Sequence, residues 1–270
     1  MIKNPDWVPY SLGKVVPSAA RMYDYWLGGS HNFALDRVMA NQIQQVVPAV
    51  RDAVRVNRSF LRRAVLFMVD SGIRQFLDIG SGIPTVGNVH EIAQRADPQC
   101  RVMYVDKESV AVAHSELLLA GNDRASVIQA NLRDVESILD HPETKRILDF
   151  DQPIGLLMLL LVHFVPDSWD PVGILARYRE RLAPGSHLAV SHLTADGNPA
   201  GLAETLSLYE KTPEPLHMRS YEEVQHLFTG FELVEPGLVG CAFWRPAGPG
   251  DTSDHDEMNT VFYGGVGRKP

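Results

Sequence analysis

The sequence predicts a mixed α/β fold in which a mostly parallel sheet carries helices on both faces. Three observations support this prediction. From about residue 74, short β-rich runs alternate with helical stretches, as in parallel sheets whose strands are joined by helices. The apolar run from Ile154 to Val162 does not alternate with polar residues, which is typical of a strand buried on both faces. Gly80 and Gly82 form a turn directly after the first strand, where such sheets bind ligands.

The elements of this sheet can be placed in chain order. Five strands are predicted at 76–79, 101–105, 126–130, 154–162 and 187–193. Helices are predicted from the glycine turn to about residue 96, and at 108–120, 135–148 and 171–182. Ser220 and Glu223 form a capping box that begins a further helix, which Gly230 ends. Late strands are predicted at about 231–234 and 261–266, with an exposed loop at 246–257 between them.

Residues 1–72 precede this alternating region and are predicted to form a helical extension, with Gly28 and Gly29 as the joint of a lid, on a core at residues 73–270. Ser18 is a candidate cap for a short helix over 19–27, which Gly28 and Gly29 end. A longer helix is predicted over 49–69 because apolar residues recur there at helical spacing. We interpret five arginines on this stretch as a solvated helix face. They are Arg51, Arg55, Arg58, Arg62 and Arg63.

The composition narrows the possible functions. Hydrophobic residues make up 45% of the chain and charged residues 21%, as in ordinary globular proteins. The net charge of −8 argues against nucleic acid as a partner, because phosphate binding needs a basic surface. Cys100 and Cys241 lack the spacing of a disulfide framework or a zinc finger. With no signal-like N-terminus and no apolar run of membrane-spanning length, the sequence predicts a cytoplasmic protein without a metal site or a membrane span.

The strongest motif is the run LDIGSGIPT, from Leu77 to Thr85. Gly80 and Gly82, on either side of Ser81, allow a ligand to approach the backbone closely. Asp78 at the end of the strand suits a ligand that carries an ammonium group. A dinucleotide phosphate site would favour glycine where Thr85 stands. The motif therefore favours S-adenosylmethionine over NAD as the cofactor, although a tight turn alone would also explain the glycines.

Polar residues also end the next three predicted strands. The Asp106 carboxylate could accept both ribose hydroxyls of a cofactor, or it could cap the following helix. Asn131 could bond the adenine edge while Leu132 packs on the ring, and a surface turn is the alternative. His163 could act as a general base or be a structural histidine. Because the carboxyl ends of parallel strands meet at one edge of a sheet, we expect these side chains to share one site.

The glycine motif with Asp106 and Asn131 resembles the class I methyltransferases that depend on S-adenosylmethionine. A more specific resemblance lies outside it. The segments that carry it are PSAARMYDYWLGG at 17–29, NF at 32–33, DR at 36–37, WRP at 244–246 and YGGV at 263–266. They look like the S-adenosyl methyltransferase family first catalogued as a domain of unknown function in actinobacteria, and the resemblance extends over nearly the whole chain.

This resemblance implies a Rossmann-like fold of seven strands, the last antiparallel, with a cofactor cleft partly covered by the N-terminal segment. On the short N-terminal helix, Arg21 and Tyr25 share a face and Tyr23 lies beside it. Their aromatic rings could stack on adenine or face a sulfonium through cation–π attraction. The alternative is a helix that buries Met22 and Trp26 against the sheet, and both descriptions can hold at once.

We therefore expect a methyltransferase that uses S-adenosylmethionine and acts on an unidentified small-molecule acceptor. Arg21 and Tyr25 join the residues at the strand ends as expected cofactor ligands, while His163 and Tyr23 are the candidate bases. Two alternatives remain at this point. The first is an NAD-dependent oxidoreductase, which the missing third glycine disfavours. The second is a non-catalytic module that senses S-adenosylmethionine, which no sequence feature excludes.

Overall fold

The structure is a computed structural model that describes residues 16–84, 87–196 and 201–270. The N-terminal decapeptide and Thr85 of the glycine motif therefore lie outside the described residues. None of the helices within these ranges combines the length and the apolar character that a bilayer crossing requires.

An eight-stranded sheet forms the centre of the molecule. Its strands are β1 (Gln75–Ile79), β2 (Arg101–Asp106), β3 (Ala125–Gln129), β4 (Gly155–Leu159), β5 (His187–Leu193), β6 (Glu232–Leu233), β7 (Val239–Gly240) and β8 (Phe262–Arg268). Their order is β3-β2-β1-β4-β5-β8-β6, and β7 also pairs with β8. The first five strands are parallel, whereas β8 runs antiparallel to β5. This is the predicted Rossmann-like architecture with its antiparallel last strand.

Eleven α-helices are found in the described ranges. They are α1 (Ala19–Trp26), α2 (Ala34–Val46), α3 (Val50–Asp70), α4 (Val89–Ala96), α5 (Ser109–Leu118), α6 (Val135–Leu139), α7 (Pro142–Ile147), α8 (Pro171–Arg181), α9 (Leu202–Tyr209), α10 (Tyr221–His226) and α11 (Asp256–Thr260). Residues of α3, α4 and α5 pack on one face of the sheet, and residues of α6, α7, α8 and α10 pack on the other. The sheet is thus buried on both sides, as a parallel sheet requires.

The structure differs from the predicted elements in several places. The sheet has eight strands rather than seven, because the late region forms two short strands, β6 and β7, that both pair with β8. The helix predicted over 135–148 is two helices, since Pro142 begins α7 as its first residue and cannot donate a backbone hydrogen bond to α6. β4 ends at Leu159, because Leu160 adopts a positive φ of 47° and the chain turns into a 3₁₀ segment at Val162–Phe164.

The N-terminal helices pack as part of the same molecule. Buried side chains of α3, among them Phe60, Ala64 and Met68, share a core with the sheet. Met22 and Trp26 of α1 join α2, the start of α3 and Tyr209 in a smaller core. The boundary predicted at residue 72 separates two regions of the sequence, but side chains from both sides of it share one hydrophobic core.

One residue of the arginine stretch is buried, contrary to its interpretation as a solvated face. Arg63 donates to the backbone oxygens of Cys241 at 2.6 Å and Trp244 at 2.8 Å, and it pairs with Asp251 at 2.7 Å. Its neighbour Arg62 is exposed. Arg63 thus ties α3 to the segment that precedes β8, an attachment that a residue count along one helix does not reveal.

Candidate functional site

The carboxyl ends of the parallel strands open into a cavity of about 500 Å³, a size typical of ligand sites. Residues from the ends of β1, β2, β3 and β4 line it together. Those predicted from the sequence are Asp78, Gly80, Ser81, Gly82, Asp106, Asn131, Leu132 and His163. The expectation that these residues share one site is met by the geometry, because parallel strands place their carboxyl ends at a common edge.

The two glycines of the turn serve different purposes. Both have positive φ, 71° at Gly80 and 67° at Gly82, a conformation that side chains other than glycine disfavour. A Cβ at Gly80 would lie 2.5 Å from the side chain of Leu161, so packing excludes it. A Cβ at Gly82 would meet nothing closer than Ala20 of α1, at 4.0 Å. Gly82 therefore leaves open space between the turn and α1.

Asp78 is buried beneath this turn, where its charge is poorly solvated. The pKa of Asp78 is raised to about 7, mainly by burial; the nearby Arg58 guanidinium lowers it, and the Asp106 carboxylate adds a smaller upward shift. A carboxylate with so little solvation favours a cationic ligand group. This suits the role proposed for Asp78 from the sequence.

Asp106 is held by the backbone on both of its oxygens. Oδ2 accepts from the Gly82 amide at 2.7 Å, and Oδ1 accepts from the Glu108 amide at 2.8 Å. Burial raises the pKa of Asp106 to about 6, partly offset by the Gly82 hydrogen bond and increased by Glu214. Both predicted uses of Asp106 can therefore coexist, since each oxygen keeps a second lone pair for a ligand. The neighbouring Ser81 hydroxyl is buried and finds no hydrogen-bond partner among the described residues.

Asn131 and Leu132 lie half-buried at the rim of the cavity. The Asn131 side-chain oxygen accepts from the Arg133 backbone amide at 3.1 Å. The turn therefore engages the oxygen of the Asn131 side chain and not its NH₂ group. The NH₂ group is left to donate to a ligand, as an adenine edge would require.

His163 lines the cavity beyond the end of β4. Its Nδ1 lies 3.4 Å from the Leu193 backbone nitrogen, which can only donate. In a neutral ring this arrangement places the proton on Nε2. Burial lowers the pKa of His163 well below its usual range, and the charges of His192 and Arg219 add to the shift. The ring is therefore neutral, and its Nε2–H donates rather than accepts, which argues against the predicted general base.

The N-terminal helix presents a different face to the cavity from the one predicted. Ala19, Ala20, Tyr23 and Trp26 line the cavity, whereas Arg21 and Tyr25 do not. Arg21 is buried between Asp36, at 2.7 Å, and Glu108. This pairing turns its side chain toward α2 and the loop after β2.

Tyr25 lies on the far side of α1, where it contacts α2 and α3. Its hydroxyl donates to Asn41 Oδ1 at 3.1 Å, and the Arg51 guanidinium lies 5.2 Å from its ring. Helical spacing correctly places Arg21 and Tyr25 on one side of α1, but the small residues and Trp26 face the cavity instead. The cofactor contacts predicted for Arg21 and Tyr25 find no support in this geometry.

Tyr23 lines the cavity but its hydroxyl is already engaged. It donates to the Val54 carbonyl at 3.1 Å and accepts from Asn57 Nδ2 at 2.9 Å. Burial raises the pKa of Tyr23, partly opposed by Arg58 and Asn57. A raised pKa and two protein partners make Tyr23 a poor candidate for a base.

A sequence model of the S-adenosyl methyltransferase family matches residues 5–270. The chain belongs to this family. S-adenosylmethionine is accordingly its cofactor, as the acidic pair and the glycine turn indicate. No curated protein matches the chain at a significant level.

Two solved structures are similar to this family member over nearly their whole length. A DUF574 family protein from Streptomyces avermitilis is 38% identical, with a TM-score of 0.90 over 94% of this chain and 98% of its own. A candidate methyltransferase from Thermobifida fusca is 37% identical, with a TM-score of 0.90 over 98% of this chain and 99% of its own. The more distant TnmH, 18% identical with a TM-score of 0.52 over 88% of this chain and 59% of its own, shares the fold alone.

The residues of the cavity fit the cofactor of the family. Asp78 offers a buried carboxylate to a cation, Gly82 leaves room beside the turn, and the Ser81 hydroxyl lacks a partner. Within the described ranges, no group of three or more metal-binding side chains is placed to hold a metal ion. The buried Asp78 carboxylate and the space beside Gly82 suit an organic cation such as S-adenosylmethionine.

Some lining residues were not predicted from the sequence. Asn57 and Arg58 reach the cavity from α3, and the segment from α9 to His217 closes it on another side. The apolar periodicity that identifies α3 as a helix conceals its two cavity-lining polar residues, because they lie beside the buried stripe. For the later segment the only signal was that it interrupts the alternation of strands and helices.

Proposed function

We propose that the protein transfers the methyl group of S-adenosylmethionine to a small-molecule acceptor. The observation that carries this proposal is the convergence of Asp78, Gly82, Asp106 and Asn131 on one cavity. The cavity also extends beyond these residues, past His163, so that a second molecule can lie next to the cofactor. Family membership and the two similar structures support transfer chemistry, and neither the oxidoreductase nor the sensor alternative gains support from them.

In this proposal each polar side chain binds a different part of the cofactor. Asp78 faces the ammonium of the methionine moiety, and Arg58, close enough to influence the pKa of Asp78, faces its carboxylate. Asp106 accepts the ribose hydroxyls while the Gly82 amide keeps its carboxylate oriented. Asn131 donates to the adenine edge, and Leu132 packs on the ring.

The protein contributes alignment and exclusion of water to the reaction. When bound, S-adenosylmethionine would supply an activated methyl group on its sulfonium; transfer to the acceptor would leave a neutral thioether, and the proton lost by the acceptor would leave with the products. Trp26, Val54 and Leu193 surround the reaction space with apolar side chains. Fixing two reactants in line in this way contributes roughly 7–11 kcal/mol of barrier lowering in well-oriented systems.

His163 is proposed to orient the acceptor rather than to remove its proton. The Leu193 amide directs the ring proton to Nε2, and Tyr23 is occupied by Val54 and Asn57. Neither His163 nor Tyr23 is therefore arranged to accept a proton from the acceptor. The reaction then favours an acceptor whose nucleophilic group reacts in its neutral form and loses its proton after the methyl group is transferred.

Titration calorimetry with S-adenosylmethionine, S-adenosylhomocysteine and NAD tests the cofactor. Asp106→Asn is the most useful variant, because it removes the charge and keeps an oxygen for one of the two backbone amides that donate to Asp106. It should weaken S-adenosylmethionine binding about ten- to a hundred-fold, the effect of losing a charge-assisted hydrogen bond. Asp123→Asn, at an exposed position before β3, is the matched control and should leave binding unchanged. Tighter binding of NAD than of S-adenosylmethionine would contradict the proposal.

Turnover distinguishes an enzyme from a sensor. The protein is incubated with S-adenosylmethionine and a library of small molecules, and release of S-adenosylhomocysteine is followed. An acceptor that increases this release above the rate with cofactor alone, in the native protein but much less in Asp106→Asn, supports catalysis. Tight cofactor binding with no turnover across the library would favour the sensor alternative.

A further inference from the structure

The cavity has two chemically different parts. The polar part contains the acidic and basic residues of the described lining: Arg58, Asp78, Asp106, Lys107, Glu108 and Glu214. Lys107 pairs with Glu214 at 2.7 Å, and the charges of both residues shift the pKa of Asp106. These groups therefore lie close together. The apolar part lies beyond the ends of β4 and β5, and Ile43, Val54, Leu193, Leu202 and Phe262 represent its walls.

Among the described residues, the apolar part contributes no Asp, Glu, Lys or Arg to the lining. A charged group placed there would lose hydration, and the nearest guanidiniums, those of Arg58 and Arg219, already donate to oxygens of the protein, so its burial is unfavourable. An uncharged apolar group would instead gain from leaving water. The wall of the apolar part therefore selects against charged acceptors.

Several polar groups on this wall are satisfied within the protein. Asn57 donates to the Tyr23 hydroxyl, and its Oδ1 accepts from the Ser191 hydroxyl at 2.7 Å. Tyr23 in turn donates to Val54. In His163, Nδ1 faces the Leu193 amide, and no hydrogen bond to Nε2 is found among the described residues. The Nε2–H of His163 is thus a donor for a ligand in a largely apolar environment, and the Tyr209 hydroxyl and the His217 ring line the same cavity.

A buried network keeps this donor in place. Arg219 donates to the carbonyls of Val162 at 3.1 Å and Val165 at 2.8 Å, on either side of His163. It also contacts His192 Nε2 at 3.0 Å, and His192 Nδ1 lies 2.7 Å from the Leu193 carbonyl. Arg219 is therefore a positioning residue that holds the backbone of the His163 segment and the strand end facing it.

We infer that the methyl acceptor is an uncharged, largely apolar molecule with an oxygen that accepts a hydrogen bond from His163 Nε2–H. This inference rests on the proposed function, because it assigns the polar part of the cavity to the cofactor. It concerns the apolar part, to which neither the family nor the similar structures assign a ligand.

Ligands of one shape and different charge test the inference. The protein is saturated with S-adenosylhomocysteine and titrated with 2-naphthol, naphthalene, naphthalene-2-carboxylate and 2-naphthylmethylammonium, followed by fluorescence. We expect 2-naphthol to bind about ten-fold more tightly than naphthalene, the effect of one added hydrogen bond. The two ions should bind at least about ten-fold more weakly than 2-naphthol. Equal or tighter binding of either ion, or no binding of 2-naphthol, would overturn the inference.

Two substitutions locate the binding site. His163→Phe should reduce 2-naphthol affinity to that of naphthalene and leave naphthalene unchanged, whereas His163→Gln, which keeps a donor, should retain much of the difference. Leu202→Arg, at a half-buried lining position of α9, supplies a counter-ion and should increase the affinity for naphthalene-2-carboxylate. If His163→Phe leaves the preference for 2-naphthol intact, the oxygen does not bind at His163 and the inference is wrong.

Calorimetry with S-adenosylhomocysteine distinguishes a failure of the proposed function from a failure of the inference about the acceptor. Each variant is expected to bind S-adenosylhomocysteine like the native protein, which also shows that the variant is folded. If the native protein does not bind S-adenosylhomocysteine, the proposed function fails. If it binds S-adenosylhomocysteine but prefers a charged naphthalene, only the inference about the acceptor fails.

Discussion

At the scale of single residues, the acidic pair gives the site its sensitivity to pH. With a pKa of about 7 at Asp78 and about 6 at Asp106, both carboxyls take up protons in the ligand-free protein as the pH falls below neutrality. A cation binds best when they are ionised. Because the folded-state pKa of Asp78 lies above the value in an unfolded chain, ionisation of Asp78 destabilises the ligand-free protein as the pH rises from about 4 through 7.

The affinity for S-adenosylmethionine should therefore increase with pH. We expect a rise of about ten-fold between pH 6 and pH 8, because the ionised fraction of a group with a pKa near 7 grows by that factor. Titration calorimetry at pH 6, 7 and 8 measures it. Asp78→Asn should bind weakly with a flatter pH profile and should raise the Tm of the ligand-free protein at pH 8. An affinity that does not change over this range would show that Asp78 does not face the cation.

The two glycines of the turn should respond differently to the same substitution. Gly80→Ala places a Cβ against Leu161 in addition to the strain of a positive φ, so it should lower the free energy of unfolding by clearly more than strain alone, about 1–3 kcal/mol. Gly82→Ala carries the strain but enters open space. It should lose less stability and more cofactor affinity. Thermal unfolding and calorimetry compare the pair, and equal effects on both properties would contradict these separate roles.

At the scale of elements, the described part of the N-terminal segment makes contacts with several other parts of the molecule. The Ala19 amide at the start of α1 donates to Glu214 at 2.9 Å, in place of the predicted side-chain cap from Ser18, whose hydroxyl bonds Glu108. Met22 and Trp26 are buried. These contacts favour a static wall of the cavity over the mobile lid that the Gly28–Gly29 joint suggested.

Hydrogen exchange followed by mass spectrometry tests this view of α1. Peptides covering residues 17–37 should exchange slowly in the ligand-free protein, with little further protection when S-adenosylmethionine is added. A large increase in protection on adding the cofactor would restore the lid hypothesis.

The contact from Glu214 should stabilise the start of α1. Glu214→Ala removes the acceptor of the Ala19 amide and the partner of Lys107, and should cost about 1 kcal/mol, as loss of a helix N-cap does. Exchange in peptides covering the start of α1 should accelerate. Glu210→Ala, at an exposed position four residues earlier, is the control. If both variants behave alike, Glu214 does not hold α1.

At the scale of the whole molecule, Arg63 connects the N-terminal helices to the C-terminal part of the chain. Arg63→Ala leaves two carbonyls and the Asp251 carboxylate without their partner. We expect a loss of about 3–5 kcal/mol in the free energy of unfolding, the usual effect of breaking a buried ion pair. Arg62→Ala, at the exposed neighbour, should change it by less than about 0.5 kcal/mol. Denaturant unfolding compares them, and similar values would contradict the structural role of Arg63.

The sequence by itself determined the order of the central elements and the residues at the strand ends. Both follow from local patterns, since strands buried on both faces are continuous apolar runs and parallel strands bring their carboxyl ends to one edge. Asp78, Gly82, Asp106 and Asn131 could therefore be assigned to one site without coordinates. The bounds of helices interrupted by proline and the short strands β6 and β7 were less predictable, because their limits depend on neighbouring elements.

Only the tertiary structure decided which way the remaining side chains point. Arg21 and Tyr25 were expected at the cofactor, but Asp36, Glu108 and Asn41 hold them elsewhere. The donor role of His163 depends on the backbone of Leu193, thirty residues along the chain. Periodicity reports which face of an element is apolar, but not which distant partner meets each polar group. Those partners are fixed by contacts between segments far apart in sequence, and they distinguish a buried structural arginine or a hydrogen-bond donor from a solvated charge or a catalytic base.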